Sequence, residues 1–256
     1  MSPNILTIKR PANLLLSSLA PEDYAKLAPH LQTVKLESGT ILGSDASTCG
    51  VAYFPTTCVV SLICEMEDGA TAEVAITGYE GVLGTSLFLG GHSATNRAIV
   101  GIAGEAQRMG AQILRGQFMR CEAFQRVLLK YTDTLISQIS NTAACNRRHT
   151  LEKRLCRWLL LLHDRACSDE FVMTQEFIAN MLGGRRETVT VAAGHLQDAG
   201  LIHYTRGRLR IVDRTSLENY VCECYRSVRG EHSRALPQPL EVRHGLAKTR
   251  TSSALS

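Results

Sequence analysis

The sequence is poor in long apolar runs. Its longest uninterrupted stretch, Trp158 to Leu162, falls far short of the ~20 residues that a membrane span requires. The first ten residues lack the charged-then-apolar order of a signal peptide, so a soluble, cytoplasmic protein without a membrane partner is expected. Paired cysteines are lacking too. The nine cysteines are an odd number, none precedes Cys49, and no CxxC pair occurs, which argues against a disulfide framework, a zinc-ribbon pattern and an N-terminal iron-sulfur cluster. Reduced thiols in a core are the expected state. Cys145, Cys156 and Cys167 recur at a spacing of eleven, which burial on one helix face explains. Cys222 and Cys224, read as helical, would point to different faces. None is assigned a role, and no metal site is expected. No GxSxG, P-loop or GxGxxG pattern sits in a fitting context, so no catalytic residue is assigned and an enzyme is not expected.

What is present is a core-forming composition, with 45% hydrophobic residues over 256 positions, enough for two compact domains. The net charge of +4 hides an asymmetry. Residues 1–146 carry 10 basic and 12 acidic side chains, whereas residues 147–230 carry 14 and 10. The basic excess lies in the C-terminal half, where an anionic polymer would meet it.

Pro21 to Leu31 reads as a helix with acids in its first turn. From Val34 to Met109 short apolar runs alternate with Gly, Pro, Asp and Ser, and two of them flank Glu67-Asp68-Gly69, a hairpin signal. This predicts a small antiparallel β-barrel or sandwich. Ala111 to about Arg165 reads as long helix broken near Asn146 to Thr150, with a seam of Phe124, Leu128, Tyr131, Leu135 and Ile139. A seam so narrow on a helix so long predicts a second subunit as its partner.

The chemistry concentrates after Phe171. Thr174 caps a helix with Phe177, Ile178, Met181 and Leu182 on its buried side; Gly183-Gly184 turns the chain; Arg185 opens a second helix that Gly200 stops, with Val189, Ala192, Ala193 and Leu196 inward. Two short helices joined by a glycine turn form a helix-turn-helix candidate. Guanidinium groups read guanine O6 and N7, a carboxylate accepts from cytosine N4, and hydroxyls reach phosphates or base edges. Arg185, Arg186, Glu187, Thr188 and Thr190 are therefore DNA-binding candidates. The hairpin that follows, Leu201 to Val212, has a basic tip that adds Arg206 and Arg208 as backbone contacts.

Gly183-Gly184-Arg185-Arg186-Glu187-Thr188-Val189 with this hairpin resembles the DNA-reading segment of the Crp-Fnr family, the cyclic-AMP receptor protein and its relatives. The order of barrel, long helix and winged helix extends the resemblance over residues 20 to 226. It implies an α+β fold: a cyclic-nucleotide-binding-like antiparallel β-barrel (jelly roll) over residues 1–110, a long dimerisation helix over 111–147, a winged helix-turn-helix over 148–229 and a disordered tail over 230–256. It also implies a homodimeric transcription regulator on a pseudo-palindromic site, with RNA polymerase as a partner. Arg186 and Glu187 match the family's base-reading pair. Val191 stands where the cyclic-AMP branch commonly has Arg, so the half-site should differ.

A ligand held by the barrel and long helix would make Asn96, Arg97, Ile139 and Ser140 effector-binding candidates. The segment Gly78 to Gly84 has Val82 where that branch has Glu, so cyclic AMP is disfavoured and no cofactor is identified. His30 and His92 are isolated, which disfavours haem. The alternatives are an enzyme or thiol redox protein built on the barrel, and a cyclic-nucleotide or redox sensor module acting through protein contacts.

Overall fold

The computed structural model describes residues 13–43, 50–90, 97–166 and 168–235, with the backbone alone described at 232, 233 and 235. Asn96, Cys49, Cys167, His92, the first twelve residues and positions 236–256 lie outside the described residues. Helices α1 (Leu14–Ser17) and α2 (Pro21–Leu27) lead into strands β1 (Gln32–Leu36), β2 (Ile41–Leu42), β3 (Val51–Pro55), β4 (Val59–Glu65) and β5 (Thr71–Thr77). A short helix α3 (Ser86–Leu89) precedes β6 (Arg97–Ile102) and β7 (Gly104–Gly110). The strands form two antiparallel sheets, ordered β1-β7-β3 and β2-β6-β4-β5. Their facing side chains, among them Leu36, Tyr53 and Ala106 on one sheet and Leu42, Val60 and Val100 on the other, make a dry layer between them. Among the described residues the strands make two separate sheets stacked as a sandwich. The β4–β5 hairpin turns where Glu67-Asp68-Gly69 predicts it, with Gly69 in the left-handed region at φ 82°.

The long helical stretch is broken twice. After α4 (Ala111–Arg120), Cys121 takes an extended conformation, and α5 (Glu122–Arg148) and α6 (Leu151–Ala166) follow. The break at His149 and Thr150 lies within the expected range; the one at Cys121 has no Gly or Pro to announce it. Phe124, Leu128, Tyr131 and Leu135 of α5 are buried, but against Phe54, Ala75 and Val82 of the sandwich. The seam expected to face a second subunit is therefore covered within the chain, by the apolar surface of the sandwich. Polar groups pin this packing. The Gln138 carboxamide donates to the Ile76 carbonyl at 3.1 Å and accepts from the Ile76 N–H at 2.9 Å, and the Tyr131 hydroxyl lies 2.9 Å from that of Thr77.

Helix α6 is buried from Leu155 to Leu162, Arg157 included. A helix apolar on all sides must be wrapped on all sides. Strands β4 and β5 cover one flank, and the C-terminal elements cover the rest: β8 (Glu170–Val172), α7 (Gln175–Leu182), α8 (Arg186–Asp198), β9 (Ile202–Thr205), β10 (Arg208–Ile211), α9 (Arg214–Tyr220) and α10 (Glu223–Ala235). Strands β8, β10 and β9 form the third sheet. Helix α10 continues to Ala235, past Gly230, where a disordered tail is expected to begin. Among the described residues no helix is long and apolar enough to cross a membrane.

A methyl group at Gly81 would sit 2.5 Å from the Tyr131 ring. Overpacking of this kind costs about 1–3 kcal/mol. Gly81→Ala is expected to lower the unfolding free energy by that amount, read as a lower urea midpoint at unchanged slope, and an unchanged midpoint would show that α5 does not seat this tightly on the sandwich.

Candidate nucleic-acid interface

The Thr174 side chain accepts from the Phe177 N–H at 3.1 Å and so starts α7. Ile178, Ala179, Met181 and Leu182 face the core; Phe177 is half-buried, packed against the edge of that core and close to Gly101 of the sandwich. Gly183 closes the helix at φ 57°, with the Gly184 N–H donating to the Ala179 carbonyl at 3.0 Å. Arg185 is the extended residue before α8, and no side chain caps that helix. Its first backbone N–H groups are thus available to an anion. Val189, Ala192, Ala193 and Leu196 are buried as expected, which turns Arg185, Arg186, Glu187 and Thr188 together to solvent. The Thr190 hydroxyl is exposed but already engaged: it lies 2.8 Å from the Gln175 side-chain oxygen and 3.0 Å from the Arg186 carbonyl. Its proton ties α7 to α8, which leaves only acceptor capacity for an outside partner. Val191 is exposed and apolar, suited to contact with a thymine methyl.

The β9–β10 hairpin pairs Thr205 with Arg208, and Arg206 and Gly207 form its two-residue turn at φ 48° and φ 77°. Two positive φ angles in succession match the twist of a tight hairpin. Arg206 and Arg208 project from it, exposed. Arg186 at the start of α8 and Arg206 at the hairpin tip line one open cleft with Thr174, Gln175 and Tyr204. Arg185, Arg186, Arg206 and Arg208 form no ion pair among the described residues, whereas Arg165, Arg214 and Arg229 are all paired with carboxylates.

Residues 153–220 match the Crp-like helix-turn-helix domain. Solved structures with the same overall arrangement include a protein of Eubacterium rectale ATCC 33656 assigned to the Crp/Fnr family, with TM-score 0.63 and 20% identity over 80% of this chain and 96% of that one. FixK2 of Bradyrhizobium japonicum matches with TM-score 0.63 and 18% identity over 75% and 98% of the two chains. CLP, the c-di-GMP-responsive global regulator of Xanthomonas campestris, matches with TM-score 0.62 and 14% identity over 76% and 100%. This chain is a Crp/Fnr-fold protein with a Crp-like helix-turn-helix domain. No curated protein sequence matches it.

Of the effector-binding candidates in this Crp/Fnr fold, Asn96 lies outside the described residues, and Arg97, Ile139 and Ser140 each have partners within the chain. Arg97 pairs with Glu65 at 2.6 Å on the outside of the sandwich. Ser140 donates to the Ile136 carbonyl of its own helix at 2.9 Å, and Ile139, also on α5, packs at the edge of the core between that helix and the sandwich. In the segment Gly78 to Gly84, Val82 and Leu83 are buried and Gly81 abuts Tyr131, so side chains from the chain itself occupy that space. The carboxylate of this segment, Glu80, accepts from Arg165 of α6 at 2.6 Å in a buried ion pair.

Glu73, equally absent from the sequence expectations, sits inside the same joint. It accepts from Ser61 at 2.5 Å and from the Trp158 indole at 3.1 Å. The available signal was a charge inside an apolar run, in β5 for Glu73 and at the end of α6 for Arg165. Burial pushes the Glu73 carboxyl up to about 7, against the opposing pull of its two donors. A carboxyl raised in the folded state stabilises most below its unfolded value and loses that contribution as pH climbs toward 7. Wild-type stability in urea is therefore expected to fall between pH 5 and 7.5 relative to Glu73→Gln, by at most about 1.4 kcal/mol per pH unit. Parallel profiles for the two proteins would refute the raised carboxyl.

Proposed function

We propose that the chain is a sequence-specific DNA-binding transcription regulator, acting by binding rather than catalysis. The observation that carries this reading is the set of four uncommitted guanidinium groups at the start of α8 and on the β9–β10 hairpin. Arg186 and Glu187 are the base readers, with Arg185, Thr188 and the acceptor side of Thr190 beside them, and Arg206 and Arg208 grip the phosphate backbone. A homodimer is the working form, on a pseudo-palindromic site. Its interface is not the buried seam of α5 but the opposite stripe, where Leu129 and Ile136, two helical turns apart, are exposed apolar residues. Control by a small molecule acting on the sandwich and contact with RNA polymerase are part of the same reading, as is a cytoplasmic location.

Selection of bound DNA from a random pool should enrich a two-fold site with half-site centres about 34 Å apart. Failure to enrich any sequence would remove the reading. Arg186→Ala and Glu187→Ala should each cost about 1–3 kcal/mol and relax the choice of base at one position. Arg206→Ala with Arg208→Ala should weaken all sequences alike and reduce the slope of log affinity against log salt by about 2. Leu129→Glu with Ile136→Glu should convert a dimer to a monomer in sedimentation at unchanged helix content, and a dimer that survives the change would place the interface elsewhere.

A further inference from the structure

Four side chains that the sequence leaves without a role meet at the joint between α5, α6 and α10. Cys145 lies in the last turn of α5, and His149 follows one turn later as its extended C-terminal residue. Cys222 and Cys224 come from the entry to α10. They do not diverge as two helical positions would, because Cys222 precedes the helix, which begins at Glu223. Cys145 Sγ lies 3.7 Å from Cys222 Sγ, and Cys224 Sγ lies 3.7 Å from His149 Nδ1. All four donor atoms fall within 4.8 Å of one another, and the three cysteines are buried.

We propose that Cys145, His149, Cys222 and Cys224 form a mononuclear Cys3His site for a thiophilic divalent transition metal, of which zinc is the natural occupant.

The distances select this chemistry over its rivals. A disulfide needs sulfurs about 2.05 Å apart. A tetrahedron with sulfurs about 2.3 Å from a central zinc has edges of about 3.8 Å, and three thiolates with one imidazole is a structural zinc set. An iron-sulfur cage would hold several metal atoms between its thiolates, and donors this close enclose one ion. Packed cysteines of the ordinary kind would turn their sulfurs toward apolar neighbours rather than toward each other and an imidazole nitrogen.

Two surrounding features fit the same ion. Glu223 lies 3.4 Å from His149 Nε2, so that nitrogen carries the proton and Nδ1 is left to the metal, the arrangement in which a carboxylate orients a ligating histidine. A divalent ion with three thiolates and a neutral imidazole carries one net negative charge, and binding releases the thiol protons to water. Arg157 is buried, forms no ion pair among the described residues and has an unpartnered Nε, as does Arg154. Arg157 reaches α5 at Thr142, 3.3 Å away and one turn before Cys145, so a buried cation stands beside the place of the anion. The ion would fasten α10 to the end of α5 where the chain turns into the helix-turn-helix domain. This inference does not depend on the DNA-binding reading.

The test is elemental analysis of the full-length chain purified under reducing conditions, followed by exchange with Co2+. One zinc per chain is expected, and the cobalt form should show thiolate charge-transfer and tetrahedral ligand-field bands. Cys222→Ser with Cys224→Ser should abolish both, and Cys64→Ser, distant in β4, should leave them intact. Glu223 is exposed and its replacement does not threaten the fold; Glu223→Gln should weaken zinc affinity about 10–100-fold. A chain that holds no metal with all thiols free after Zn2+ is offered would overturn the site. So would a Cys145–Cys222 disulfide in the reduced preparation, bound iron with inorganic sulfide, or cobalt bands that survive the double serine variant.

Discussion

Everything in this molecule is arranged around the burial of α6. Eight consecutive residues, Leu155 to Leu162, lie inside the protein, and a helix apolar on every side has no stable place except between two other layers. Strands β4 and β5 provide one layer and the helix-turn-helix provides the other, so the two halves of the chain share a core: Val59, Ile63 and Ile76 of the sandwich sit in the same cluster as Val189 and Leu196 of α8. The polar atoms caught in this joint had to be satisfied internally. Trp158 finds Glu73, Arg165 finds Glu80, and Gln138 satisfies the buried backbone N–H and carbonyl of Ile76. A buried carboxylate and a buried guanidinium that lose each other cost far more than their pairing contributes, so these contacts specify one orientation of the halves more than they strengthen it.

The same joint sorts the basic residues. Composition counts every arginine of the C-terminal half alike, but their surroundings do not. Arg214 is held by Asp164, Glu218 and the Tyr225 hydroxyl at 2.6–2.9 Å, and Arg165 and Arg157 are interior. Of the arginines that remain outside without an ion pair, four stand at the start of α8 and on the β9–β10 hairpin: Arg185, Arg186, Arg206 and Arg208. Part of the basic charge is thus spent on internal carboxylates, and the start of α8 and the hairpin keep theirs for the outside.

Local rules were legible wherever one residue type decides a backbone conformation. Thr174 as cap, Gly183 as the left-handed terminator, Gly200 as a stop and the buried set Val189, Ala192, Ala193 and Leu196 all stand where spacing puts them. The period of Phe124, Leu128, Tyr131 and Leu135 identified a helix with one buried face correctly, yet said nothing about what buries it, since a sandwich and a second helix are equally good apolar surfaces. The break at Cys121 was illegible because no Gly or Pro marks it; the extended Cys121 is buried in the core beneath the sandwich.

Sequence alone determined the order of elements, the glycine-turned pair of helices, the basic hairpin and the identity of the exposed residues at the start of α8, because these follow from periodicity and backbone preference within a few residues. Only the tertiary structure decided which face of α5 is covered, that Arg97 is spent on Glu65, that Glu73 and Glu80 lie inside, and that Cys145, His149, Cys222 and Cys224 meet. Each of those facts joins residues separated by tens of positions, and chain spacing carries no distance once a fold brings remote segments together.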